Sequence, residues 1–155
     1  MFIAKNNDLI ILANASREEL ESALQFMVYT AIEETKEEYV LYEGSYITEE
    51  ERLQKERERI NALSMTRGDV FEALILAKGV GKAQIRAMIE NAELDTTTKA
   101  LYLNRFDEAL EFYRGYPIFD MLGEALEITS EMLDDFFETK DWHKLVVNKG
   151  DVENV

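Results

Sequence analysis

The sequence predicts an α+β protein that is mostly helical, with a small N-terminal β-β-α-β unit, a charged connector helix and a C-terminal helical bundle. Short apolar runs separated by turn residues occur near the N-terminus, whereas apolar residues at helical spacing fill the second half. The chain also contains only one proline and seven glycines, so few positions interrupt a helix. The predicted bounds are 1–46 for the α+β unit, 47–63 for the connector, 64–142 for the bundle and 143–155 for a flexible tail.

The N-terminal unit begins with two predicted strands, residues 2–5 and 9–13, joined by Asn6-Asn7-Asp8, whose residue types tolerate the backbone angles of a tight turn. Ser16 to Glu19 has the composition of a capping box and predicts the start of a helix. That helix is expected to present one apolar stripe made of Leu20, Leu24, Met27 and Ala31. A third strand is predicted from Glu37 to Tyr42, where apolar side chains fall on both faces.

The connector helix begins at a second capping box, Thr48 to Glu51. Between residues 49 and 61 the apolar side chains are Leu53 and Ile60, seven residues apart, so the helix cannot be buried in a core. It is therefore interpreted as a solvated connector or as one strand of a narrow coiled-coil seam. In the second case Leu53 and Ile60 would form the seam of a homo-oligomer.

Five helices are predicted in the bundle. Thr66 can cap the first, which is apolar nearly all round, runs to about Lys78 and ends at Gly79, since glycine takes a left-handed cap without steric cost. Pro117 suits the first turn of the fourth helix, and Thr129 or Ser130 can cap the fifth. The apolar positions of the other helices are Ile85, Met88, Ile89 and Ala92, then Leu103, Phe106, Leu110 and Tyr113, then Ile118, Leu122 and Ala125, and finally Leu133, Phe136 and Phe137.

Charge is concentrated at the two ends of the sequence. The chain has 17 Lys and Arg against 32 Asp and Glu, a net charge of −15, of which residues 1–46 carry −6 and residues 117–155 carry −7. This balance argues against direct nucleic-acid binding, which needs an excess of cationic side chains to contact phosphates. The absence of cysteine excludes disulfides and thiolate chemistry. It also favours synthesis inside the cell, and the sequence contains no signal-peptide pattern and no apolar run of membrane-spanning length.

Three patterns have a chemical interpretation as well as a structural one. Gly79 to Lys82 lacks the first glycine and the Ser/Thr of a phosphate-binding loop, and matches loosely the turn of a DNA-binding helix-hairpin-helix; a helix end followed by a tight turn is favoured. The carboxylates at 131, 134, 135 and 138 could bind a divalent cation, but they alternate with an apolar stripe and are typical of a solvated helix face. His143 is the single histidine. No catalytic, cofactor-binding or metal-ligating residue is therefore predicted, and we expect no enzymatic activity.

The aromatic residues between 102 and 119 could line a ligand groove, but at helical spacing such residues more often form a core. Those that follow position 110 cannot all point the same way from one helix, so some are expected to be exposed beside an acidic surface, where they would bind a protein partner. The candidate partner-binding residues are Phe112, Tyr113, Tyr116, Phe119, Asp134, Asp135 and Glu138.

Three stretches resemble small uncharacterised proteins encoded by bacteriophages and prophages of Gram-positive bacteria, often near tail genes. They are residues 1–5 leading to Ser16–Leu20, the charged helix running into Ile60–Thr66, and Leu122–Leu133. The resemblance implies a viral origin and no known enzymatic activity, and it supplies no established functional residues. Protein–protein interaction as a tail-associated or tail-assembly factor is therefore the expected function, with synthesis in the bacterial host cytoplasm and association with the virion.

The alternative is an acidic DNA mimic that inhibits a host defence nuclease, as anti-CRISPR and other anti-defence proteins do. Carboxylates can occupy the Lys/Arg-lined groove of a nuclease where phosphates would lie. Mimicry would require rows of carboxylates at phosphate spacing, whereas a solubilising surface would scatter them evenly.

Overall fold

The computed structural model describes residues 1–6, 9–25, 27 and 29–147, which contain seven α-helices, seven strands and one 3-10 helix. The predicted fold class is confirmed, because the protein is mixed α+β, with 55% of the described residues in helices, the 3-10 helix included, and 20% in strands. It divides into two compact units, Met1–Arg57 and Glu58–Val155. No helix within the described ranges combines the length and apolar character needed to cross a bilayer.

The N-terminal unit contains a three-stranded antiparallel sheet of β1 (Phe2–Asn6), β2 (Leu9–Asn14) and β3 (Ala31–Glu34), in the order β2-β1-β3. The helix α1 (Arg17–Ala23) follows β2, and Ser16 caps it as predicted by accepting a hydrogen bond from the Glu19 amide. A small apolar core lies between the helix and the central strand. Its buried members are Ala4, Leu20 and Leu24.

The predicted extent of the helix α1 is wrong. The predicted stripe carried α1 as far as Ala31, but the helix ends at Ala23 and Ala31 begins β3, where it pairs with Lys5 of β1. Pairing with β1 gives the backbone N–H and C=O groups of β3 hydrogen-bond partners. A single extra helical turn would leave several of these groups without one. Of the predicted turn Asn6-Asn7-Asp8, the last two residues lie outside the described part of the chain.

The predicted third strand is present but belongs elsewhere. Residues Tyr39–Tyr42 form β4, which pairs with β5 (Ser45–Thr48) rather than with the sheet of β1. Glu43 and Gly44 make the turn between them, and both have positive φ, as a two-residue hairpin turn of type I′ requires. The N-terminal unit is therefore β-β-α-β-β-β, and the sequence analysis missed β3 and β5.

The charged helix α2 (Glu49–Asn61) starts at the predicted capping box. Thr48 Oγ1 accepts from the Glu51 amide at 3.2 Å, and Glu51 Oε2 accepts from the Thr48 amide at 3.0 Å. No residue of α2 is buried, in agreement with the prediction of a solvated helix. The division between the compact units falls inside α2, and the predicted seam of Leu53 and Ile60 stays a prediction.

After the end of α2, the described part of the C-terminal unit contains six helical segments and one short two-stranded ladder. Its elements are β6 (Ser64–Thr66), α3 (Arg67–Lys78), α4 (Lys82–Asn91), α5 (Thr96–Glu108), β7 (Glu111–Tyr113), α6 (Ile118–Leu126), α7 (Ser130–Thr139) and the 3-10 helix Trp142–Leu145. The ladder is antiparallel, with Met65 opposite Phe112.

Aromatic rings in edge-on or tilted contact run through the core of this unit. Phe71 contacts Phe106 and Phe112, with centroid distances of 5.2 and 5.8 Å. Phe119 contacts Phe112 and Phe137 at 5.8 and 5.0 Å. Because such pairs add to the gain from apolar burial, this chain of rings fixes how β7 and the helices pack.

The predicted helix caps are confirmed in this unit. Thr66 accepts from the Asp69 amide at the start of α3, Gly79 ends that helix in the left-handed conformation, and Thr129 accepts from the Met132 amide at the start of α7. Each cap satisfies backbone groups that the helix itself cannot pair.

Two predictions for this unit are wrong. The third helix was expected to carry Leu110 and Tyr113 inward, but α5 ends at Glu108, Leu110 is 85% exposed and Tyr113 lies in β7. The flexible tail was expected from residue 143, yet the 3-10 helix runs to Leu145, whose side chain is fully buried. Burial of that leucine in the main core anchors the 3-10 helix there. Residues 148–155 lie outside the described residues.

Gly123 sits where α6 ends against the segment leading to α7. The helix terminates with Glu127 in the left-handed conformation, and the Ile128 amide donates to the Gly123 carbonyl at 2.8 Å. A Cβ atom on Gly123 would lie 2.7 Å from the Ile128 carbonyl oxygen and 3.2 Å from Leu133 Cδ1. Only glycine fits this close approach without movement of the backbone.

We therefore expect Gly123→Ala to lower the free energy of unfolding by about 1 to 3 kcal/mol, as overpacking does. The matched control is Gly68→Ala in α3, where the nearest atom to the added Cβ is Thr66 Oγ1 at 3.8 Å. That change should be neutral or stabilising by up to about 1 kcal/mol, because alanine is the better helix former. Urea titration of both variants measures the contrast, and equal effects would contradict the close-packing argument.

Candidate protein-binding site

The strand β7 separates the first two predicted aromatic residues onto opposite faces. Side chains of a strand alternate, so Phe112 points into the core opposite Met65 while Tyr113 points out. Phe112 is 3% exposed and Phe119 is 4% exposed, in contact with each other. The prediction that these two phenylalanines bind a partner is wrong, because the core already covers both rings.

Tyr113 and Tyr116 form an aromatic pair at the surface. The Tyr116 amide donates to the Tyr113 carbonyl at 3.0 Å, which closes a turn and brings the two rings to a centroid distance of 5.4 Å. Tyr113 is 39% exposed and Tyr116 is half-buried. Pro117 then caps α6, so the turn has a fixed exit. Local backbone geometry therefore holds both phenol rings together at the surface.

The helix α5 supplies the other wall of a groove beside Tyr116. The guanidinium of Arg105 lies 4.1 Å from the centroid of the Tyr116 ring, a cation–π contact. Leu101, one turn earlier on the same face, is 63% exposed. The groove has a volume of about 410 Å³. Its lining residues, here called the tyrosine groove, are Leu101, Tyr102, Asn104, Arg105, Glu108, Ala109, Tyr116 and Pro117.

One ion pair and one hydrogen bond to the backbone fix the C-terminal end of α5. Arg86 of α4 pairs with Asp107, and Arg67 donates to the Asp107 carbonyl oxygen. The hydrogen bond from Arg86 lowers the pKa of the Asp107 carboxyl below its ordinary value. Asp107 stays ionised at neutral pH, and the wall of the tyrosine groove is held against α3 and α4.

The three predicted acidic residues of α7 have different environments, and none lines the tyrosine groove. Asp134 is 13% exposed and accepts from Arg114 Nε at 2.7 Å. Glu138 accepts from Arg59 at 2.6 Å. Asp135 is exposed. The structure therefore uses Asp134 inside the fold and does not bring the acidic and aromatic candidates into one surface.

Arg114 is a buried charge that sequence analysis did not identify. It is 3% exposed and lies between Tyr113 and Tyr116 in the chain. Besides Asp134, its guanidinium donates to Asp120 Oδ1 at 3.0 Å and to Ser130 Oγ at 2.7 Å. These bonds tie the turn after β7 to the first turns of α6 and α7, so the cluster positions Tyr113 and Tyr116.

The turn Gly79 to Gly81 has no free backbone donor to offer a phosphate. The Gly79 amide donates to the Ile75 carbonyl at 2.9 Å, and the Val80 amide donates to the Leu74 carbonyl at 3.4 Å. The Gly81 amide donates to Gln84 Oε1 at 2.6 Å. The favoured interpretation, a helix end followed by a tight turn, accounts for this segment.

His143 has a structural role beside its neighbour Asp141. Asp141 caps the 3-10 helix by accepting from the His143 amide, and its carboxylate lies 2.6 Å from His143 Nδ1. These hydrogen bonds lower the pKa of the Asp141 carboxyl. Across the described ranges, no group of three or more His, Cys, Asp or Glu side chains could hold a metal ion.

Tyr116 is the one lining residue of the tyrosine groove that was predicted from the sequence; Arg105 and Leu101 are among the seven that were not. Their spacing on α5 is visible in the sequence, but the spacing alone does not show that this helix face lies beside Tyr116, eleven residues beyond Arg105. Comparisons of the chain with protein-family models, curated proteins and solved structures found no match.

Proposed function

We propose that this chain is a non-enzymatic binding protein that docks a bacteriophage virion component through the tyrosine groove, as a tail-associated or tail-assembly factor. The supporting observation is the groove itself: Tyr116 lines it in contact with the guanidinium of Arg105, beside the exposed Leu101. The phage setting comes from the resemblance of three sequence stretches to phage proteins encoded near tail genes. Synthesis and docking are placed in the host cytoplasm, followed by association with the virion.

The composition of the groove suits protein recognition. Tyrosine and arginine are the side chains most often found at the energetic centre of protein interfaces, because they bury a large area while keeping polar groups for orientation. The contact between Arg105 and Tyr116 also restricts both side chains before binding. Pre-ordering of this kind lowers the entropy lost on association. Asn104 and Glu108 supply a polar rim.

Affinity purification from phage-producing cells, read by mass spectrometry, tests the proposal. A tagged wild-type chain should recover a virion structural protein, and Tyr116→Ala should weaken that association about thirtyfold, since truncating a central interface tyrosine costs about 2 kcal/mol or more. Arg105→Ala should weaken it to a similar degree, because the groove loses its ordered wall.

Tyr29→Ala is the matched control, since Tyr29 is 44% exposed and lies in the N-terminal unit, outside the groove. It should recover the same virion protein as the wild type. Recovery of no virion protein, or equal recovery by Tyr116→Ala, would refute the proposal. Recovery of a host defence nuclease in place of a virion protein would favour the DNA-mimic alternative.

A further inference from the structure

The N-terminal unit contains an open groove with a different chemistry. It has a volume of about 750 Å³ and lies among β2, the hairpin β4–β5 and the start of α2. Five glutamates line it together with exposed apolar surface, and none of the described lining residues is basic. The members of this acidic groove are Leu9, Ile10, Glu37, Glu38, Tyr39, Tyr46, Ile47, Thr48, Glu49, Glu50, Glu51 and Gln54.

Strand pairing brings the glutamates together. Tyr39 lies opposite Thr48 in the hairpin, so the residues just before β4 meet those just after β5. The Glu49 amide donates to the Glu38 carbonyl at 3.1 Å, which fixes the two acidic runs side by side. Like charges held across a strand pair oppose folding. A cationic ligand would remove that repulsion.

Part of this charge already has an internal role. Arg52 pairs with Glu49 through two hydrogen bonds and lowers the pKa of that carboxyl. Glu51 completes the capping box of α2. Glu37 accepts from the Tyr39 hydroxyl at 2.9 Å, which raises the pKa of Tyr39. The carboxylates of Glu38 and Glu50 are exposed and serve no cap or pair of this kind.

The apolar part of the groove distinguishes it from a purely charged surface. Leu9, at the start of β2, is 66% exposed, and Tyr39, Tyr46 and Ile47 are half-buried beside the carboxylates. A ligand that fits must therefore present cationic groups and an apolar group over a distance of several residues. Simple counterions have the charge and lack the apolar contact.

We propose that the acidic groove binds an extended Lys- or Arg-rich segment of a partner polypeptide, with an apolar side chain of that segment packed on Leu9. Charge complementarity to Glu38 and Glu50 sets the preference for cationic side chains and makes the association sensitive to salt. This interaction does not involve the tyrosine groove, because every lining residue of the acidic groove belongs to the N-terminal unit.

Fluorescence anisotropy of the full chain with a labelled peptide of alternating lysine and serine around one central leucine tests the proposal. Saturable binding should weaken about tenfold in the Glu38→Gln/Glu50→Gln variant, a change of about 1.4 kcal/mol. The control Glu18→Gln/Glu19→Gln removes the same charge from exposed positions of α1 and should change the affinity by less than about twofold.

A second variant tests the apolar contact. Leu9→Ser should abolish the preference of the wild type for the leucine peptide over one with serine at its centre. Absence of saturable binding, equal weakening by both glutamine variants, or displacement of the peptide by spermine or Ca²⁺ at concentrations as low as its own would overturn the proposal. The last result would identify a counterion site only. Tyr116→Ala should leave peptide binding unchanged, which separates this test from that of the tyrosine groove.

Discussion

Replacing Arg114 with methionine is expected to lower the free energy of unfolding of the C-terminal unit by about 3 to 5 kcal/mol. The guanidinium is 3% exposed and donates to Asp134, Asp120 and Ser130. Methionine fills similar space but donates no hydrogen bond. Asp134 would lose the guanidinium while remaining mostly shielded from water, and the desolvated carboxylate accounts for most of the expected loss.

Trp142 makes the measurement specific to this unit. It is the single tryptophan of the chain and packs against the main core of the C-terminal unit, so its fluorescence in a urea titration follows that core. The control is Arg59→Met, which removes an exposed ion pair to Glu138. A loss of at most about 1 kcal/mol is expected there, since water and salt screen exposed pairs.

A double variant identifies the origin of the Arg114 effect. Arg114→Met combined with Asp134→Leu removes both charges and should recover part of the stability lost in the single variant, because no desolvated carboxylate is left at position 134. A loss below about 1 kcal/mol for Arg114→Met would show that the cluster does not depend on its charge. A double variant no more stable than the single one would show that the hydrogen-bond geometry of Arg114 dominates.

The helix ends that carry a capping residue were predictable from the sequence because their causes are local, whereas the C-terminal ends of α1 and α5 were not predicted. Thr48, Thr66 and Thr129 each cap a helix through a backbone amide three residues later, and Gly79 needs only its own left-handed angle. Each signal lies within four residues of the end it marks. The fold class followed from the same kind of evidence.

Strands that pair with distant segments were not predictable in this way. Ala31 matched a helical stripe, but the strand β3 forms against β1, where Ile32 lies opposite Ala4. The short ladder of β6 and β7 likewise joins Met65 to Phe112 across the intervening helices. An isolated three-residue segment carries little strand signal, and the partner strand decides its conformation.

The candidate site contains residues that the sequence predicts from local spacing and residues whose position depends on a distant element. Tyr113 and Tyr116 were identified because aromatic residues too closely spaced for one buried face must partly be exposed. The alternation of side chains along β7 decides which of these rings are exposed. Periodicity had predicted a helix as far as Tyr113, but α5 ends at Glu108 and Tyr113 belongs to β7. Arg105 could not be assigned, because its partner Tyr116 lies on another element.

Replacing Phe137 with alanine is expected to lower the free energy of unfolding by about 3 to 5 kcal/mol. The ring is 1% exposed and makes edge-to-face contacts with Phe119 and Phe136, at centroid distances of 5.0 and 5.5 Å. Alanine would leave a cavity where α6 packs on α7, and both ring contacts would be lost. Urea titration followed by Trp142 fluorescence measures the change.

Two companion variants separate burial from side-chain type. Phe137→Leu keeps most of the apolar surface and should cost less than the alanine variant, while still losing the ring contacts. Leu110→Ala removes an apolar side chain that is 85% exposed and should stay within about 0.5 kcal/mol of the wild type. If Phe137→Ala were no more destabilising than Leu110→Ala, α7 would not be packed on the aromatic core, and the position of the Arg114 cluster at its first turns would lose its support.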